Sequence, residues 1–425
     1  MDNSEILTEP SLTCSYRAHK NEVNHVQFSP DSKNLVTCSN DQQVIFWEFK
    51  GNLEIHRSYR LSGHKDIVHC VDYSPNSDYF ISVSRDKTAC LWRLGPDNRP
   101  NLEPTIYNCH CSTIRSVGAS PKGDYFCTGS DDKSVKIWSA FCKNKQTALL
   151  KGHMNWVRCC KYCPNDDQLV ASCGDDSCLF VHDLRVYDGL PSKKVTKRGI
   201  KFTCLDWYPN NKNLVAISSH DSCVRIFDLR SDKALQYYNA HTGPVNHVEF
   251  HSSGNYLISS SDDGTSKIFD ILEGRVLFTL QEHQGAVYCS AFAKDGKKFA
   301  TVGKDSIVSL WTSNLIVEND ESLIEDNDQD TERIARRLST SSAKDSTDSK
   351  ASNRLTANKK TSSRLSLDQT VDDCGQSFVN DEETSKDPSI LIQILTQLDL
   401  LTESLSSLEK RVGKIEKRLD NHPSI

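Results

Sequence analysis

HCSTIRSVGASPKGDYFCTGSDDKSVKIW, His110 to Trp138, is the stretch that decides the fold. Four positions mark it: His110, Thr128, Asp132 and Trp138. The His and the Asp stand 22 residues apart, and the Trp follows the Asp by six. The same template fits His19, Thr37, Asp41 and Trp47, then His64, Ser82, Asp86 and Trp92, and again His283, Thr301, Asp305 and Trp311. Three weaker copies lie between them. One has His153, Ser172 and Asp176; one keeps only Asp221; one has His241, Ser259 and Asp263. The seven copies start at 19, 64, 110, 153, 198, 241 and 283. A repeat of that length suits one four-stranded propeller blade.

Within each copy the His is followed by a short apolar run, in most copies ending at a Pro, as in VNHVQFSP (23–30). A second apolar run ends in Ser or Thr, a turn carries the Asp, and an alternating run such as SVKIW (134–138) follows. β-Branched and alternating runs bounded by Pro, Gly, Asp and Ser argue strand. The expected fold is an all-β, seven-bladed propeller over 11–314. SLTCSY (11–16) precedes the first His, and the chain has no fourth strand after Trp311. The N-terminal strand is therefore expected to complete the last blade, which removes the free edges.

These repeats resemble WD40 repeats, with Gly63-His64 and Gly152-His153 as the GH pairs and KIW, RIF and KIF as strand ends. The resemblance implies that His, Ser/Thr, Asp and Trp form a hydrogen-bonded chain tying the strands of a blade together. Burying four such groups is tolerable when the network closes. Three repeats depart from the pattern. His182 and Phe269 replace the Trp of the fourth and sixth. The fifth has Arg198 for His, Ile217 for Ser/Thr and Phe227 for Trp, so it is expected to have lost its network and some rigidity.

Charged residues make up 25% of the 425 and the net charge is −6, which gives no bias toward nucleic acid or an anionic membrane. The N-terminal residues read as no secretion signal, and no apolar run reaches membrane-spanning length. The 17 cysteines then read as small buried side chains, Cys127, Cys173 and Cys204 among them.

The composition changes after Leu315. Residues 318–332 hold eight acidic residues and no basic ones. A Ser/Thr/Lys/Arg-rich stretch follows, with RRLS (336–339) and SRLS (363–366) similar to basophilic kinase sites. Such a segment lacks the apolar surface to fold, so 315–387 is expected to be a disordered linker. Over 388–421, Leu391, Ile394, Leu398, Leu401, Leu405, Leu408, Val412, Ile415 and Leu419 alternate spacings of three and four. That is a coiled-coil seam, for a homo-oligomer or a partner helix, with Arg411 and Glu416 placed to pair between parallel chains.

The His/Asp/hydroxyl set looks like a hydrolase triad, but its recurrence in blade after blade argues for structure, and no GxSxG is present. No catalytic residue is expected. Cys160-Lys-Tyr-Cys163 has metal-ligand spacing but no second pair. Cys109-His110-Cys111 surrounds a network His. No metal, cofactor or small-molecule substrate is expected. The basic run KKVTKRGIK (193–201) reads either as a solvated outer strand or as a patch for an acidic surface. Residues preceding each network Asp, namely Asn40, Arg85, Asp131, Asp175, His220, Asp262 and Lys304, should ring one face with Trp156. Their mixed charge suits a protein partner, although Trp156 could equally lie between blades.

HMNWVRCCKYCP (153–164), 250–280 and the terminal ILIQILTQLDLLTESLSSLEKRVGKIEKRL (390–419) resemble the proteome-of-centriole WD40 proteins. That resemblance implies a non-enzymatic scaffold of centrioles and cilium basal bodies, in the cytoplasm and cytoskeleton, binding centriolar or microtubule-associated proteins. The rival is a substrate receptor of a cullin–RING ubiquitin ligase. HDLR (182–185) and FDLR (227–230) are similar to its W-D-x-R box, with Arg185 and Arg230 facing the adaptor. Both boxes lack the Trp.

Overall fold

Each repeat folds as a four-stranded antiparallel sheet, and seven such sheets make the propeller. The computed structural model describes residues 8–50, 54–186, 189–197, 199–231 and 233–315. The linker beyond Leu315 and the coiled-coil helix, with all nine seam residues, lie outside the described residues.

Blade 3 shows why the sequence reads as it does. Its strands are Ile114–Ala119, Tyr125–Ser130, Val135–Ser139 and Gln146–Leu150, paired in that order. Both faces of the inner strands are covered by neighbouring blades, so YFCTGS is buried after its first residue. The outer strand meets solvent, and only its last residue, Leu150, is buried. Blades approach closely enough that Gly129 is needed: a Cβ there would stand 2.9 Å from Val157 Cγ1 of blade 4.

The innermost strands pack each on the next, and Val287–Phe292 of blade 7 packs back on Val23–Phe28 of blade 1. The N-terminal strand Ser11–Arg17 pairs antiparallel with Ile307–Thr312, from Ser11 beside Thr312 to Arg17 beside Ile307. The first strand made thus becomes the outer strand of the last blade.

Two local features recur in all seven blades. The residue after the network Asp has positive φ, at Gln42, Lys87, Lys133, Ser177, Ser222, Gly264 and Ser306. This left-handed residue closes the turn between second and third strands. Each innermost strand also shifts register between its first and third residues, as at Ile114/Ser116 and Val287/Cys289. A bulge there re-aims side chains at the head of the strand.

Blade 5 differs from the expectation of a lost network. Arg198 lies outside the described residues. Asp221 is held by Arg225, whose guanidinium donates to both carboxylate oxygens and to Ser219. Arg225 is 2% exposed and its guanidinium lies 4.9 Å from the Tyr237 ring centre. Ile217 and Phe227, at the positions of the missing hydroxyl and Trp, are buried in the largest apolar cluster, which runs from blade 4 into blade 6.

Candidate functional site

The polar network comes first, because it positions the face above it. In blade 3, His110 Nδ1 lies 2.7 Å from Asp132, Nε2 lies 2.9 Å from the Thr128 hydroxyl, and Trp138 Nε1 donates to that hydroxyl at 3.0 Å. The carboxylate only accepts, so Nδ1 carries the proton and Nε2 accepts from Thr128. His19, Thr37, Asp41 and Trp47 make the same chain, as do His64, Ser82, Asp86 and Trp92 and His283, Thr301, Asp305 and Trp311. Blades 4 and 6 keep the His–Asp and His–Ser bonds: His153 with Asp176 and Ser172, His241 with Asp263 and Ser259. At their Trp positions, His182 bonds the Lys151 carbonyl and Phe269 packs on Tyr238.

Burial would raise the Asp41 carboxyl, but bonds from His19 and the Lys20 amide outweigh it and hold it at about 2. Asp86 and Asp132 are likewise driven below their ordinary value by His and hydroxyl bonds that overcome burial. The hydroxyls of Thr37, Ser82 and Thr128 belong to residues 0% exposed, so no substrate reaches them. The triad-like set therefore serves as structure in these blades.

Above the networks lies the face carrying the Asp turns. In every blade the residue before the network Asp is anchored by its amide to a carbonyl at the entry of the innermost strand. Asn40, Arg85, Asp131, Asp175, His220, Asp262 and Lys304 donate to Glu22, Ile67, Thr113, Trp156, Lys201, Pro244 and Ala286. These seven residues therefore ring one face. Blade 5 keeps this bond, so its departure is confined to side chains.

The side chains of the ring are also positioned, by a partner that sequence spacing did not suggest. The second residue of the innermost strand reaches the ring residue of its own blade: Asn24 to Asn40, Arg115 to Asp131, Arg158 to Asp175, Asn246 to Asp262. Arg115 and Arg158 each grip their Asp through two nitrogens, at 2.8–2.9 Å. The two guanidiniums lie 5.5 and 5.2 Å from the ring centre of Trp156, which stands between blades 3 and 4. Trp156 is 42% exposed, whereas the other five tryptophans are buried. It is a rigid aromatic surface held by two fixed cations, the residue type that anchors protein interfaces.

Elsewhere the structure is blander. Lys193–Thr196 of the basic run forms the outer strand of blade 4, with only Val195 buried. Cys160 and Cys163 are buried core residues. Cys127, Cys173 and Cys204 are buried as well. Arg185 is held by Asp166 and Asp183, and Arg230 by Asp228. Among the described residues, the one converging group of metal-ligand type is His25, His247 and Cys289. It comes from blades 1, 6 and 7, and no local spacing could have announced it.

A closed propeller with a polar ring face and one clamped, exposed Trp is a protein-interaction scaffold in class. The WD domain, G-beta repeat family matches residues 10–48, 56–93, 103–139, 144–183, 195–228, 232–270 and 274–312, one match for each repeat. The chain belongs to the WD40 family. A comparison with curated proteins returns no match.

Proposed function

We propose that this chain is a non-enzymatic scaffold of centrioles and cilium basal bodies. Its Asp-turn face binds microtubule-wall or inner-wall proteins, and through them the chain supports centriole assembly and stability and cilium formation. The observation that carries the reading is Trp156 between Arg115 and Arg158. It lies within 153–164, one of the stretches that resemble centriolar WD40 proteins, and on the face suited to a partner. A hot-spot aromatic with its cations already fixed loses little entropy on binding. The described chain ends at Leu315, on the opposite side of the blades, where it packs with Tyr256, Phe299 and Trp311. A helix over 388–421 would add avidity through a second copy or a partner coil.

The test images a tagged chain beside a centriole marker in dividing cells, as full-length protein, truncated after Asp387, and with Trp156→Ala. Centriolar signal in the first two forms that is lost or weakened in the third supports the reading. Absence of the full-length protein from centrioles overturns it. The ligase-receptor reading has less support, since Arg185 and Arg230 are spent on ion pairs within their own blades. Co-purification of a cullin adaptor would restore it.

A further inference from the structure

The bulge at the head of each innermost strand sets the third residue toward the axis of the propeller. In blades 6, 7 and 1, three consecutive blades across the point of closure, those residues are His247, Cys289 and His25. One ligand-type atom of each lies within 4.8 Å of the other two. The two imidazoles meet edge to face with ring centres 5.3 Å apart. His247 is 5% exposed and Cys289 is fully buried, while His25 keeps some accessible surface along the axis.

This group is short of hydrogen bonds. Both ring nitrogens of His247 and Nδ1 of His25 are buried and make no well-formed hydrogen bond, the Ser290 backbone being the one hydrogen-bonding group that bears on the His247 ring. Three such atoms stand side by side here, where other buried sites, His69 Nε2 among them, have one. Every network His in the same molecule has both nitrogens engaged. Buried polar atoms are nearly always paired, and an exception calls for an ion, a water or a function. Closing the ring does not require imidazole here: the corresponding residues of blades 2 to 5 are Cys70, Ser116, Cys159 and Cys204.

We propose that His25, His247 and Cys289 form a binding site for one zinc-class divalent cation on the propeller axis. Two imidazoles and one thiolate are a borderline-soft set that suits Zn²⁺ and leaves a fourth position for water. Ligand atoms around tetrahedral zinc stand about 3.3–3.8 Å apart, so side-chain movements on the order of 1 Å bring this set together. The zinc–sulfur bond forms as the Cys289 thiol releases its proton to solvent; the imidazoles give lone pairs and change no charge. Because the ligands come from the first, penultimate and last blades, the bound ion clasps the ring where the chain closes on itself.

Co²⁺ is the probe. The purified full-length chain is stripped with a chelator and titrated with Co²⁺, then with Zn²⁺. Expected are one Co²⁺ per chain, a thiolate-to-cobalt charge-transfer band with strong visible bands of tetrahedral cobalt, and their loss to Zn²⁺. Cys289→Ala or His247→Gln should weaken binding by more than about 100-fold, beyond what loss of an outer-shell partner costs. Cys159→Ala, in the same axial layer, should bind as the wild type does. Circular dichroism reports whether each variant folds, and His25→Gln substitutes for one that does not. Zn²⁺ should also raise the Tm of the wild-type chain and leave that of Cys289→Ala unmoved. A wild-type chain that shows no cobalt band at several-fold excess overturns the proposal. So does a band that persists in folded Cys289→Ala.

Discussion

Blades 3 and 5 solve the same problem with different physics. Each must hold its Asp turn against the strands beneath it. Blade 3 uses a relay that starts from one carboxylate, Asp132–His110–Thr128–Trp138, in which each group bonds the next. Blade 5 has one charged clamp, Asp221–Arg225–Ser219, above a continuous apolar packing that includes Ile217 and Phe227. Both keep the backbone bond that anchors the ring residue, Asp131 to Thr113 and His220 to Lys201. The blade frame is therefore set by backbone pairing and apolar burial, and the side-chain network can be exchanged for another. The exchange moves risk: a relay shares its load over four groups, while a clamp rests on one ion pair.

Acid should separate a relay blade from the clamp blade, with the largest effect because blade 6 holds two histidines kept uncharged by burial and blade 2 a third. Burial keeps the His241 imidazole below its ordinary 6.5, overcoming the pull of Asp263. Burial likewise lowers His69, to about 4, and His251. Unfolded chains bind those protons first, so stability should fall as pH drops below 6.5. The network carboxyls sit below their ordinary 3.8, with Asp41 and Asp263 at about 2. Their contribution is complete above 3.8 and is lost as pH falls toward 2. Blade 5 has no network His among its described residues, and Asp221 responds only in the second window. Hydrogen exchange followed blade by blade from pH 7 to 5 should show blade 6 losing protection before blade 5. Uniform loss would break the comparison.

Asp221→Ala should cost about 3 kcal/mol. That is the low end for stranding a buried charge, because Asp221 is partly open to solvent while Arg225 is not. Asp132→Ala should cost less, about 2 kcal/mol, since it leaves hydrogen-bond donors unpaired and strands no buried guanidinium. Denaturant unfolding of the two variants ranks them. The double change Asp221→Ala with Arg225→Leu should recover most of the loss, and failure to do so would remove the clamp from the account.

The hydroxyl position gives a smaller contrast. Thr128→Val leaves His110 Nε2 and Trp138 Nε1 unpaired and should cost about 2 kcal/mol. Ile217→Val, at the corresponding place in blade 5, removes only a methylene, about 1 kcal/mol. Equal losses in unfolding midpoints would mean that the relay adds nothing beyond packing. Among the smallest, Trp156→Ala should cost about 1 kcal/mol, the surface worth of its cation–π contacts with Arg115 and Arg158. The same variant's lost partner binding would then be a surface effect.

Much of this architecture was legible in the sequence because the network spacing survives as a count of residues. The His-to-Asp interval marks the strands between them, and the orphan strand 11–16 declares the closure. What could not be read depends on register. Arg115 meets Asp131 because a bulge re-aims the head of its strand, and no linear pattern signals a bulge. Arg225 in blade 5 substitutes for a His that belongs 27 residues earlier in the repeat, so the template reported a loss where the fold has a replacement. His25 stands 222 residues before His247 and meets it and Cys289 only because the ring closes. The local Cys160/Cys163 spacing drew attention to ordinary core residues instead.

The outer strand of blade 7 also sets how the ring answers to pulling. Ser11 lies beside Thr312, and Asn314 reaches back to the Glu9 carbonyl, so the described chain enters and leaves at the same end of one antiparallel pair. Load applied between the two ends opens that pair like a zip, one rung at a time, instead of shearing all its rungs at once. An anchor on the N-terminal side working against an anchor on the C-terminal side would thus unfasten a single blade at low force and leave six folded. The molecule carries tension poorly along its own backbone, and a partner that bridges the faces of neighbouring blades would carry it better.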